Sequence, residues 1–189
     1  SIVTNLLESK KEKETKVFKN NFNLKINLNE VYIDEINFVK SLQGLIFIKD
    51  NKVVDANLSA NFENNKNIIF SIETTDNDEK ITKLYSSKAK PLVKRYKFIK
   101  GFDEGNLDFV STKKNEKSVS NLKIYDFKLK EVPALTKLLT LASLQGIADI
   151  LTGEGIRFDE FEMKFNNQKN LMTIDELYAI GPAISILMS

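Results

Sequence analysis

The stretch Phe22-Asn23-Leu24-Lys25-Ile26-Asn27-Leu28-Asn29 decides the fold. Its apolar residues fall at every second position, and in a strand successive side chains point to opposite faces, so it reads as a strand with one dry and one wet face. The same period returns outward from it. Val31 and Ile33, then Ile36 and Phe38, lead to the apolar run from Leu45 to Ile48, which stops at Asp50-Asn51. That pair tolerates left-handed backbone and predicts a tight hairpin. Beyond it Val54, Ala56, Leu58, Ala60 and Phe62 share one face, while Asp55, Asn57, Ser59 and Asn61 share the other. A loop at Asn64-Asn65 leads to Ile68, Phe70 and Ile72, and the polar cluster from Thr74 to Asp78 closes that strand. The pattern is that of an antiparallel meander.

Helical spacing enters at Pro91, where Leu92, Val93 and Tyr96 form a short apolar stripe that stops near Gly101. A strand with Leu107 and Phe109 follows, then a polar loop from Thr112 to Ser118. Leu122 and Ile124 mark the next strand, which continues with Phe127 and Leu129 after a bulge. From Pro133 to Leu151 a second helix is expected, with one stripe of Leu135, Leu138, Leu139, Ala142 and Gly146 and another of Leu141, Leu144, Ala148 and Leu151. Its apolar core is too short for a membrane span. Phe161, Met163 and Phe165 then alternate with Glu160, Glu162, Lys164 and Asn166, and the last strands hold Leu171, Ile174 and Leu177, then Ile184, Ile186 and Met188. The expected class is mainly β with two helices (α+β), a curled antiparallel sheet or open groove of repeated hairpins with helices capping its apolar face. Residues 1–189 form a single module, with residues 1–16 a linker or fraying helix. A start at Ser1 and a stop in an apolar-rich run suggest a segment of a longer protein.

Composition narrows the chemistry. Lys and Arg total 28 against 26 Asp and Glu, a net charge of +2, with the two signs interspersed. This is no nucleic-acid footprint. Only Arg95 and Arg157 are arginines, which disfavours dense bidentate clamping of phosphates. The absence of Cys excludes disulfides and thiolate catalysis, and the absence of His removes the commonest general base, Ser-His triads and most zinc sites. Carboxylate neighbours occur at Asp103-Glu104, Asp159-Glu160 and Asp175-Glu176, but adjacent residues of a strand point to opposite faces, so none is a catalytic pair on sequence grounds. The glycines near 101, 105, 153 and 155 lack nucleotide-loop spacing and are better explained by helix ends. No enzyme, cofactor or metal is expected.

Two stretches share a plan: Pro91 starts a helix that exits into Glu104-Gly105-Asn106-Leu107-Asp108-Phe109, and Pro133 starts one that exits into Glu154-Gly155-Ile156-Arg157-Phe158-Asp159. The run from Leu122 to Leu129, then Pro133-Ala134-Leu135, Leu141-Ala142-Ser143-Leu144-Gln145-Gly146-Ile147, Gly153-Glu154-Gly155-Ile156, Phe158 and finally Gly181-Pro182-Ala183 resembles the AsmA-like family of bacterial envelope proteins. The likeness is to the AsmA-like C-terminal region of YhdP-type proteins. It covers residues 122–188, more loosely 88–109, and the first half only in texture. The Asn- and Lys-rich, Arg-poor composition departs from typical relatives. The resemblance implies a long curled sheet, held by a helix in the inner membrane of a Gram-negative bacterium and extending through the periplasm. It also implies a role in moving phospholipid towards the outer membrane, with neighbouring modules of the same chain and envelope proteins as partners.

On that reading function lies in the apolar face: Phe22, Leu24, Ile26, Leu28, Val54, Ala56, Leu58, Ala60, Phe62, Ile68, Phe70, Ile72, Leu107, Phe109, Phe161, Met163 and Phe165. The helix residues Leu135, Leu138, Leu139, Leu141, Leu144 and Leu151 are expected to form a lid over it. A two-tailed lipid carries on the order of 30 methylene groups, at about 0.8 kcal/mol each, so exposing it to water costs about 25 kcal/mol. Crossing an aqueous gap therefore calls for continuous apolar surface. The alternative is a structural or assembly factor of the envelope with a closed core and no lipid conduit.

Overall fold

The computed structural model describes residues 21–96, 99–130, 155–169, 171–182 and 185–188. Among the described residues ten strands form one sheet: β1 (Phe22–Tyr32), β2 (Phe38–Lys49), β3 (Lys52–Asn61), β4 (Asn67–Thr74), β5 (Lys80–Ser86), β6 (Phe102–Lys114), β7 (Lys117–Leu129), β8 (Ile156–Gln168), β9 (Leu171–Ile180) and β10 (Ser185–Met188). Spatial order equals chain order, every neighbouring pair is antiparallel, and the sheet is open with β1 and β10 at its edges. The turns follow from residue type. Asp50 and Asn51 (φ 50 and 59) and Asn64 and Asn65 (φ 63 and 59) sit in the left-handed region that short polar side chains tolerate. Between β1 and β2 Asp34 closes the loop by accepting from the backbone N–H groups of Ile36 (2.9 Å) and Asn37 (2.7 Å).

The two-helix α+β class is corrected by this architecture. One short helix, α1 (Lys90–Tyr96), occurs among the described residues, and the rest is almost wholly antiparallel sheet. The expected helix from Pro133 to Leu151, with lid residues Leu135, Leu138, Leu139, Leu141, Leu144 and Leu151, lies outside the described residues, as does the stretch 1–16. Where a polar loop was expected from Thr112 to Ser118, β6 runs on to Lys114 and β7 starts at Lys117, because a two-residue turn with Asn115 at φ 53 is all the hairpin needs. Alternation does not mark β5: Ile81 and Tyr85 lie on one face and Leu84 on the other, so neither face is cleanly apolar.

Two packed clusters hold the sheet. The larger gathers Phe102, Leu107, Ile124, Phe127, Ile156, Phe158, Phe161, Met163, Phe165 and Ala179 with Ala89 and Val93 from the α1 region. Phe102, Phe127 and Phe158 form a stacked ladder across β6, β7 and β8, with successive ring centroids 5.2 Å apart. Helix α1 is tied down by the Ala89 N–H donating to Gly105 O (2.8 Å) and by Arg95, whose guanidinium donates to Ile33 O (2.6 Å) in the β1–β2 loop. The smaller cluster, Val39, Ala60 and Phe62 with Val31, Ile33, Leu42 and Ile68, sits under that same loop.

Candidate functional site

Residues opposed across an antiparallel pair share a face, so the register can be followed from strand to strand. One row runs Ile26, Gly44, Leu58, Phe70, Leu84, Phe109, Leu122, Met163, Leu177 and Met188. It crosses all ten strands without a polar side chain. Nine gaps of about 4.8 Å make it ~43 Å long, comparable with a bilayer including its headgroups. A flanking row on one side reads Ala60, Ile68, Ser86, Leu107, Ile124, Phe161, Ala179 and Ile186. On the other side Leu24, Ile46, Ala56 and Ile72 give way to Thr82, Ser111 and Ser120 before Phe165 and Ile174. There the two serine hydroxyls satisfy each other at 2.9 Å.

The structure thus brings together on one face nearly all the residues that alternation selected. Phe22 opposes Ile48, Leu28 opposes Leu42, and Phe62 packs with Ala60 at the loop end. Val54 is the exception. A bulge between Phe47 and Ile48 pairs Ile48 with Val53, and Val54 lines a cleft of about 500 Å³ with Phe47 and Asp55. Depth varies along the face. Met163 is 5% exposed, whereas Leu24 and Leu28 are 44% and 50% exposed, and Leu58, Phe70 and Phe109 are half-buried. Leu84, Leu122, Leu177, Met188 and Ile46 belong to the face but were not counted in it. Opposition to Phe70 and Phe109 is the signal that places Leu84, and it needs the register.

The opposite face of β7–β9 carries a polar network. The Glu162 carboxylate is almost fully buried, and it accepts from Tyr178 Oη at 2.6 Å and Asn121 Nδ2 at 2.8 Å, with Lys123 Nζ at 3.3 Å. Burial alone would raise its pKa, but these three donors outweigh it and hold Glu162 below the ordinary carboxylate range. Tyr178 also lies 2.9 Å from Glu160, and hydrogen bonding to Glu162 pushes its phenol well above its usual value. Of the acidic neighbours in the sequence, Asp103 is bound by Lys90 and Lys130, Glu104 by Lys128, and Glu176 by Lys164. Among the described residues no three acidic side chains gather to hold a metal ion, and no helix is long and apolar enough to cross a membrane.

No protein-family model, no curated protein and no solved structure matches the chain. The likeness to AsmA-like proteins rests on the residues quoted for it.

Proposed function

We propose that this chain is a module of a membrane-anchored periplasmic AsmA-like protein, and that its apolar β face carries phospholipid acyl chains between inner and outer membrane. One observation carries the reading: an unbroken apolar row crosses the whole open sheet, and much of it is only half-buried. Partial exposure of Leu, Ile and Phe over such a length is unfavourable in water at about 25 cal/mol per Å² of apolar surface, and acyl chains laid on the face would recover that energy. No catalytic group is needed for this work, and Asp103, Glu104, Glu162 and Glu176 are engaged by lysines, an amide and a phenol.

The test is native mass spectrometry of the purified chain after incubation with phospholipid vesicles. The expected result is bound lipid on the wild type and its loss in Leu24→Asp and Leu28→Asp, whose positions are open enough that the melting temperature should hardly move. A wild type that takes up no lipid sinks the reading. It would favour the second one, an envelope structural or assembly factor, which draws on the closed core of β6–β9, where Phe127 and Phe158 are each 1% exposed.

A further inference from the structure

At one end of the sheet, beyond the row that contains Ile68, Ser86 and Leu107, lies a cleft of about 530 Å³. Its walls come from the β1–β2 loop (Asn37), the β3–β4 turn (Lys66), the segment after β5 (Ser87 and Lys88), the start of α1 (Lys90 and Pro91), the start of β6 (Asp103 to Asn106) and Asp126 of β7. The backbone fixes its cationic wall. Asn67 N–H donates to Ser87 Oγ (2.6 Å), while Ser87 N–H and Ser87 Oγ both reach Asn67 O (2.9 Å each), so Lys66, just before β4, and Lys88, just after β5, are held at neighbouring strand ends. Lys88 Nζ stands 5.4 Å over the Phe62 ring, a residue of the smaller apolar cluster.

Within the cleft, charge accounting separates these two lysines from Lys90, and Asp126 is the carboxylate of the lining with no ion pair among the described residues. Lys90 and Lys130 hold Asp103 at 2.6 Å each, and Lys128 holds Glu104 at 2.9 Å. Lys66 and Lys88 have no carboxylate within ion-pair distance among the described residues. Both line the same cleft, Lys88 with its ammonium over the Phe62 ring, and compact point charges of this kind suit a phosphate oxygen. Ile68 and Leu107 lie one or two residues away along the strands, roughly 3–7 Å at about 3.3 Å per residue. A phosphate in the cleft would therefore sit within one lipid's reach of the apolar face.

We propose that Lys66 and Lys88 form a headgroup site for the phosphate of a diacyl lipid whose tails lie on the apolar face. This rests on the lipid reading above. The two lysines select for phosphate, while the rows of Leu, Ile and Phe accept any acyl chain.

The experiment compares uptake from neutral carrier vesicles containing either phosphatidic acid or diacylglycerol, two lipids with the same tails that differ in the phosphate. Wild type should take up phosphatidic acid about ten-fold better. Lys66→Glu with Lys88→Glu should bring it down to the diacylglycerol level and leave diacylglycerol uptake unchanged, with an unaltered melting curve. Equal uptake of both lipids by wild type overturns the headgroup site and leaves the acyl reading standing. Uptake of neither overturns both. A parallel NMR titration with inorganic phosphate separates the sources: saturable shifts at Lys66 and Lys88 without lipid preference would assign the cleft to free phosphate and overturn the proposal.

Discussion

β1–β4 and β6–β9 present the same kind of face and bury it to different depths. In β8 the face carries Phe158, Phe161, Met163 and Phe165, all buried, and α1 lies in the same cluster. In β3 it carries Ala56, Leu58 and Ala60 with Gly44 opposite on β2, small groups that leave Leu58, Leu24 and Leu28 part open to solvent. Side-chain volume thus divides one continuous sheet into a packed end and a shallow end. Stability should be concentrated in the first and apolar access in the second.

The largest effect should come from removing a rung of the aromatic ladder. Phe158→Ala opens a cavity under Phe127 and should cost about 3–5 kcal/mol by urea denaturation, against a typical domain stability of 5–15 kcal/mol. Leu58→Ala, on the shallow side, should cost distinctly less. Equal losses would show that the two halves are packed alike and would break the comparison.

Next is Gly44 on β2, where the shallow half leaves no room for a side chain against β3. A Cβ there would stand 1.9 Å from Asn57 O, and φ is 149, so Gly44→Ala is both overpacked and strained. About 1–3 kcal/mol is expected. Hydrogen exchange should show the loss confined to β1–β4 if the halves are energetically distinct; uniform loss of protection over all ten strands would mean one cooperative unit.

How much of this was legible in the sequence follows the period. β1, β4 and β3 from Ala56 onward keep strict alternation, so their shared face and both left-handed turns could be read directly from residue type. The aromatic ladder could not be. Phe127 and Ile124 are three apart, and so are Phe158 and Phe161, yet all four share one cluster, because the backbone breaks step at Asp126 (φ 53). The sequence shows the bulge and places Phe127 and Leu129 beyond it, but not that Phe127 stacks on Phe158 of the next strand. The same limit misplaced Val54, since the β2–β3 bulge moves Val53 opposite Ile48. The cleft of Lys66 and Lys88 had no sequence signal, since the two are 22 positions apart and only the Asn67–Ser87 pairing brings their segments together.

A smaller effect is expected on the polar face of the packed end. Tyr178→Phe removes the shortest donor to the buried Glu162 and leaves Asn121 and Lys123 in place. The cost should be about 0.5–1.5 kcal/mol at neutral pH. Because that donor helps keep the carboxylate ionised, the pKa of Glu162 should rise in the variant, measurable by carboxyl-carbon NMR titration. An unchanged pKa would show that Lys123 and Asn121 suffice.

The smallest and most specific effect concerns the clasp between α1 and the sheet. Hydrogen bonds from Lys130 and Lys90 hold the Asp103 carboxyl down at about 2, against an ordinary value near 3.9. A carboxylate with a depressed folded pKa adds stability that is fully present above the unfolded value and is lost as pH falls through the folded one. The window therefore runs from about pH 4 down to about pH 2. Lys90 and Lys130 are each half-exposed, so solvent screens the pair and the gain is modest. Asp103→Asn should melt below the wild type at pH 6, and the gap should close as pH falls through about 2, where the wild-type carboxyl takes up its proton and becomes neutral like the amide. In high salt the gap at pH 6 should also shrink. A gap that stays constant from pH 6 to pH 2 would show that Asp103 acts through packing beside Gly105 rather than through its charge, and that α1 is held on the sheet by Ala89, Val93 and the Arg95 contact to Ile33 alone.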